Sequence, residues 1–391
     1  MPAEIFVENI NNKQGARLVM KKRLYMIIAL LYCGSVISGC SMSQESMSGD
    51  DKENNNVKVE KTVDDNKNQE EKNEQEQQVY DIYTAKIKDC TEQTNPSDFF
   101  PENSDYKEIK KEEVKTGEDK NKMWRDSKNN YLLCGYGRIC YSSRNYEYVY
   151  SNLLYDDNGA FRNNFNKILA DGKVNGISKE KAIEKMRDIV KSNGIAADNA
   201  VAYPLTVKNL TKLSKMFMSD KEYKKYMEDK TNEPLKRKFY KKDEAYLVVM
   251  NVKADDKILC DKEYHYGKRA YSGSFCFGIV STSGVEFFDA EGIYEKLSKD
   301  KDNITILSEK QAMDKLNQRF ADIISEKVKC NSLSTTYITV KEKKNDNSYA
   351  VIPIYLFDVT QEVNHKKSGK KTKVTYENTM FLDAETGEWL E

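Results

Sequence analysis

"ISKEKAIEKM" (Ile177–Met186) and "LSEKQAMDKL" (Leu307–Leu316) share one pattern: aliphatic, serine, charged residues, alanine, then aliphatic, acid, lysine, aliphatic. Each serine stands where a helix N-cap accepts a hydrogen bond from the first turn. Ser308 and Gln311 have the spacing of a capping box. Behind the caps, Ala182, Ile183, Met186 and Val190 fall on one helical face, as do Ala312, Met313, Leu316, Phe320 and Ile323. The segments downstream of the two helices also correspond. "EAYLVVMNVKAD" from Glu244 parallels "NSYAVIPIYLFD" from Asn347, and "GVEFFDAEG" (Gly284–Gly292) parallels "NTMFLDAETG" (Asn378–Gly387). Both Asp-Ala-Glu segments, Asp289 to Glu291 and Asp383 to Glu385, suit a tight turn after a strand: Asp bonds its own backbone and the following Gly takes positive φ. The pattern predicts an α+β fold of antiparallel sheets with packed helices. Two related helix-plus-sheet units occupy the C-terminal half, at 176–300 and 301–391, with a long insert near 196–243 in the first.

The second copy resembles the PepSY-like repeats of secreted bacterial proteins, through Ser308, Ala312, Phe381, Asp383, Ala384, Gly387 and Glu388. The first copy departs more, since Asp289-Ala290-Glu291-Gly292 lacks the Thr. Similar repeats occur in the membrane-anchored YycH and YycI regulators of a wall-sensing histidine kinase. The resemblance covers residues 177–391. It implies a regulatory or inhibitory binding role and carries over no catalytic residue.

Upstream, residues 79–175 read as mostly β. "VYDIYTAKIK" from Val79 alternates as a strand, "NNYLLCGYGRICYSS" reads as two strands around a turn holding Gly135 and Gly137, and "NYEYVYSNLLY" reads as a further strand. Residues 92–120 read as a loop. Residues 209–230 read as helical, with Leu210, Leu213, Met216 and Met218 on one side and a second start capped by Ser219.

The chain is hydrophilic, with 32% charged residues, and its 63 basic and 63 acidic side chains cancel. One dense apolar run, "MIIALLYCGSVISGCS" (Met26–Ser41), interrupts it. Lys21-Lys22-Arg23 precedes an apolar stretch of about fourteen residues, shorter than the roughly 20 of a membrane-spanning helix. The stretch ends in small residues, as a secretory signal does. Its end, Ile37-Ser38-Gly39-Cys40, resembles the lipobox of bacterial lipoproteins of the Firmicute type. That resemblance implies cleavage between Gly39 and Cys40 and a diacylglycerol on the Cys40 thiol. Residues 1–39 are then a signal peptide. Glu4 and Glu8 suit such a segment poorly and Met20 makes the better start, so 1–19 reads as a misplaced beginning. From Cys40 to 78 the chain is Ser, Asn, Gln, Asp, Glu and Lys with almost no aliphatic residue, the composition of a disordered tether. About 38 such residues span roughly 35 Å.

Catalytic signatures are thin. Two histidines, His265 and His365, leave little for zinc or for a His-assisted nucleophile. Cys260 near His265 has loose spacing for either. "YSGSF" (Tyr271–Phe275) is not a nucleophile elbow. No basic stripe with interleaved aromatics suggests nucleic acid. A Cys134–Cys140 disulfide is open if the two residues face each other across the turn, the other reading being buried thiols. The tyrosines of 131–155 invite a ligand groove or plain packing.

These observations predict a lipoprotein anchored through Cys40 on the outer face of the cytoplasmic membrane, Gram-positive in type. The expected role is non-catalytic binding or regulation, with a membrane or wall protein as partner, no cofactor and no metal. The alternatives are a surface enzyme acting on wall or extracellular polymer and a transport-associated solute binder.

Overall fold

The computed structural model describes residues 60–61, 80–109, 121–151, 153–154, 165–169, 171–229, 235–262, 264–266, 269–271, 273–321, 327–341, 348–367 and 370–390. The signal segment and the lipobox with Gly39 and Cys40 lie outside the described residues, as does the tether apart from Glu60–Lys61.

In chain order the first strands are β1 (Glu60–Lys61), β2 (Tyr80–Ile87), β3 (Lys107–Ile109), β4 (Lys122–Arg125), β5 (Tyr131–Gly135) and β6 (Arg138–Ser142). Next come β7 (Ala197–Leu205), β8 (Ala245–Ala254), β9 (Lys257–Ile258), β10 (Tyr264–Tyr266), β11 (Arg269–Tyr271) and β12 (Phe275–Ser281). The last are β13 (Gly284–Glu291), β14 (Tyr294–Ile304), β15 (Lys327–Lys341), β16 (Ser348–Lys367) and β17 (Lys370–Asp383). The helices are α1 (Arg144–Val149), α2 (Phe165–Ile168), α3 (Lys179–Ser192), α4 (Val207–Phe217), α5 (Asp220–Glu228) and α6 (Glu309–Ala321).

The mixture of helices with antiparallel sheets is the expected α+β class. The chain forms two compact units, discontinuous in sequence. The first holds residues 89–251 and 275–291; the second holds the described residues up to Lys88, 252–274 and 292–391. These units cross the boundaries expected at 175/176 and 300/301.

In the first unit the strand order is β3-β4-β5-β6-β13-β12-β8-β7. The ladders from β3 through β8 in that order are antiparallel. One face carries Cys140, Leu247, Phe277, Ile279 and Phe287, packed with Tyr146 and Val149 of α1 and Leu210 and Leu213 of α4. On the other, α3 approaches so closely that a Cβ added at Gly278 would sit 2.5 Å from Met186 Sδ. Ser178 caps α3 as expected, accepting from Lys181 N, and Ala182, Met186, Ile189 and Val190 are its buried residues. Ser219 caps α5 through a capping box with Glu222.

The "NYEYVY" segment corrects the expectation of a strand, because α1 occupies it. Ser143 Oγ accepts from Tyr146 N at 2.9 Å and donates to Glu286 at 2.7 Å, so the cap overrides the β preference of the tyrosines. Tyr146 stacks on Phe287 with centroids 3.9 Å apart, and Tyr150 donates to Asp243 O. Both are fully buried, so these tyrosines pack rather than line a groove.

In the second unit the order is β1-β15-β16-β2-β14, with β17 also on β16. Glu60–Lys61, inside the stretch read as a tether, pairs in parallel with Lys329–Cys330. α6 lays Ala312, Leu316 and Phe320 on Tyr355, Phe357 and Leu382 of the β15–β16–β17 meander. Burying a side chain the size of Leu316 or Phe320 contributes roughly 1.5–3 kcal/mol. The expected capping box is present: Ser308 N donates to Gln311 Oε1 at 2.8 Å and Gln311 N to Ser308 Oγ at 3.2 Å. Edge strand β14 is charged, exposed and broken by three register shifts, which discourages pairing with other chains.

Of the two readings left open for Cys134 and Cys140, the register agrees with buried thiols. The two-residue turn at Tyr136-Gly137 sets Cys134 opposite Ile139 and Cys140 opposite Leu133. Directly opposed residues share a face and successive ones alternate, so the two cysteines fall on opposite faces. Both are free and buried. Non-reducing peptide mapping should find no peptide joining Cys134 to Cys140; a linked pair would require another register.

Candidate functional site

The Asp-Ala-Glu segments, alike in sequence, are placed differently. In the second unit Asp383 ends an edge strand, and the chain turns as expected. Its Oδ1 accepts from Glu385 N at 2.9 Å and Thr386 N at 2.8 Å, and Gly387 takes φ +69°. In the first copy Gly292 takes φ +65° as expected, but the expected local cap by Asp289 is absent. β13 has a neighbour on each side through Glu291, with Asp289 opposite both Cys140 and Phe277. A strand paired on both sides cannot turn there, so Asp289 enters the sheet interior at 4% exposure.

Arg138, the first residue of β6, answers it. Register sets Arg138 opposite Glu291. Its Nη1 lies 2.6 Å from Glu291 Oε1 and its Nη2 3.3 Å from Asp289 Oδ2. Asp289 Oδ1 has no hydrogen-bond partner. Burial drives the Asp289 carboxyl up to about 7, with Glu291 adding to the rise and Arg138 opposing it. Cys140, opposite, is pushed well above the ordinary thiol range, first by burial. Burial likewise takes Cys134 and Cys260 up to about 12, the wrong direction for nucleophiles.

The remaining buried carboxylates serve as internal clasps. Glu286 accepts from Ser143 Oγ and from Ser281 Oγ at 2.6 Å. Glu244 accepts from Asn175 N and Val207 N, closing loop ends. Asp243 pairs with Lys236 at 2.7 Å, and Asp126 accepts from Asn130 and Ser104.

A cavity of about 540 Å³ lies elsewhere in this unit, lined by the 97–104 segment, Tyr106, Lys185 and the β12–β13 turn at Ser283–Val285. Phe100 and Tyr106 stack beside it, centroids 4.7 Å apart. It includes neither Asp289 nor Arg138. Among the described residues no cluster of His, Cys, Asp and Glu could hold a metal ion. Nor is any helix among them long and apolar enough to cross a membrane.

Sequence reasoning missed Arg138. The available signal was an arginine opening the apolar strand "RICYS", with a twin-acid strand to receive it.

No family model matches the chain, and no curated protein matches it. Its fold is similar to the crystal structure, at 1.45 Å resolution, of an uncharacterized protein from Eubacterium rectale ATCC 33656. The TM-score is 0.56 at 13% identity, covering 80% of this chain and 86% of that one. The likeness shows the fold alone.

The raised Asp289 value carries a sign. A carboxyl that holds its proton more tightly when folded stabilises the fold at low pH, and that contribution is lost as pH rises from the usual carboxylate range near 4 through about 7. Asp289→Asn should therefore match the native protein near the low end of that window and gain on it above. Denaturant titrations across the window read this; a constant difference would contradict it.

Proposed function

We propose that this chain is a lipoprotein held through Cys40 on the outer face of the cytoplasmic membrane, and that its folded part binds a partner and does not turn over a substrate. The observation carrying the binding role is that the buried Asp289–Arg138 pair does not border the cavity. Among the described residues, the buried carboxylate with a vacant oxygen is seated in a sheet beside Arg138, and a cavity that could admit a ligand, bordered by Asp98, Glu102 and Lys185, lies elsewhere. Catalysis needs such groups to converge on a shared space. β17, an edge strand, further supports the reading, since an edge presents backbone donors and acceptors to an incoming strand. The anchor rests on the Ile37–Cys40 motif and its basic and apolar approach.

Two measurements test this. Cys40→Ala should abolish metabolic lipid labelling, and continued labelling would contradict the anchor. Pull-down from detergent-solubilised membranes, with Cys40 intact, should recover a reproducible protein partner; repeated recovery of the bait alone would contradict the binding role.

A further inference from the structure

The walls of the cavity in the first unit come from three places: the 3-10 turn Pro96–Asp98 with the chain after it, α3, and the β12–β13 turn. The first wall is pinned on several sides. Asp98 Oδ2 accepts from Ser192 Oγ at 2.7 Å and from Asn193 Nδ2 at 3.1 Å, at the end of α3. Phe99 meets Phe288 of β13 edge-on, centroids 5.3 Å apart. Ser97 Oγ donates to Asn95 and Ser104 Oγ to Asp126, each at 3.0 Å. The wall is thus ordered before anything enters, and a ligand need not offset the entropy of ordering it. The β12–β13 turn keeps the space open. Gly284 there takes φ +117°, and a Cβ added to it would meet nothing within 4 Å.

Two charged groups of the lining take no part in this bracing. Lys185 of α3 and Glu102 have opposite signs, and neither makes a hydrogen bond or ion pair among the described residues. They stand on different walls and do not neutralise each other. A cation and an anion that border one space unpaired match a ligand carrying both charges, an ammonium for Glu102 and a carboxylate for Lys185. The stacked Phe100 and Tyr106, with Val285, supply apolar surface for a side chain. Small-molecule sites combine such an apolar lining with a few polar groups that fix orientation. At about 540 Å³ the cavity falls within the roughly 300–1,000 Å³ of sites for drug-sized ligands, which favours a peptide over a single amino acid.

We propose that this cavity binds a short peptide with free termini, its ammonium at Glu102 and its carboxylate at Lys185. The proposal rests on the binding role argued above, in that the peptide leaves unchanged, and is independent of the Cys40 anchor.

The test uses the full chain in detergent and an equimolar mixture of tripeptides built from Ala, Leu, Phe and Ser with free termini. Ultrafiltration followed by mass spectrometry reads which peptides the protein retains above a detergent blank. Acetylating the amino ends and amidating the carboxyl ends should each lower retention about threefold, the scale of an exposed charge pair. Glu102→Gln should abolish the sensitivity to acetylation and keep that to amidation, and Lys185→Gln should do the reverse. Both positions are exposed, so neither substitution should alter thermal unfolding. Equal retention of free and doubly blocked peptides, or variants that keep both sensitivities, overturns the proposal. Retention of free amino acids in preference to tripeptides overturns the peptide assignment. Cleavage of the retained peptides would contradict the role without turnover while supporting the cavity as their site. No partner protein is present and labelling of Cys40 is scored separately, so failure here is distinguishable from failure of the anchor or of the pull-down.

Discussion

A carboxylate inside an antiparallel sheet must be answered, and the Arg138–Asp289–Glu291 contact is that answer. It ties β6 to β13. Through β13 the hairpin strands of the N-terminal part join the strands that come after α3 in a single sheet. The ion pair need not add net stability, because taking charges out of water offsets much of their attraction. Its effect is on register. A slip of one residue would turn Asp289 to the other face and leave Arg138 beside apolar residues. The rise in the Asp289 value shows burial outweighing the guanidinium.

The two related segments show how context assigns a role to one motif. "FFDAE" lies on a strand with neighbours on both sides, and its Asp is a buried partner. "FLDAE" ends a strand paired with β16, and its Asp caps a turn. The helices preceding them behave alike, with serine caps and an alanine-led buried face. The strands differ in number. β17 lies directly beside β16, whereas β12 stands between β8 and β13. The first copy therefore sets β12 as an additional strand in its sheet, besides the short β9, β10 and β11 and the α4–α5 insert.

Much of the fold was legible locally. Caps and 3.6-residue periodicity marked α3, α5 and α6, and alternation with a Gly turn marked β5 and β6. What stayed hidden depended on distant pairing. The "NYEYVY" segment looked like a strand until Ser143, held by Glu286 from β13, capped it as a helix. Whether Cys134 and Cys140 face each other stayed open because turn length, which sets the faces, is not readable from composition. Arg138 and Asp289 are about 150 residues apart and meet only through sheet order.

One Asp-Ala-Glu segment is buried and answered while its relative turns the chain, and parallel alanine substitutions measure that difference directly. Asp289→Ala removes a partner from a largely buried guanidinium and opens a void in the sheet, so it should cost about 3 kcal/mol in equilibrium unfolding. Asp383→Ala returns two backbone donors near the surface to water and should cost about 1 kcal/mol. Equal costs, or a larger one at Asp383, would contradict the account.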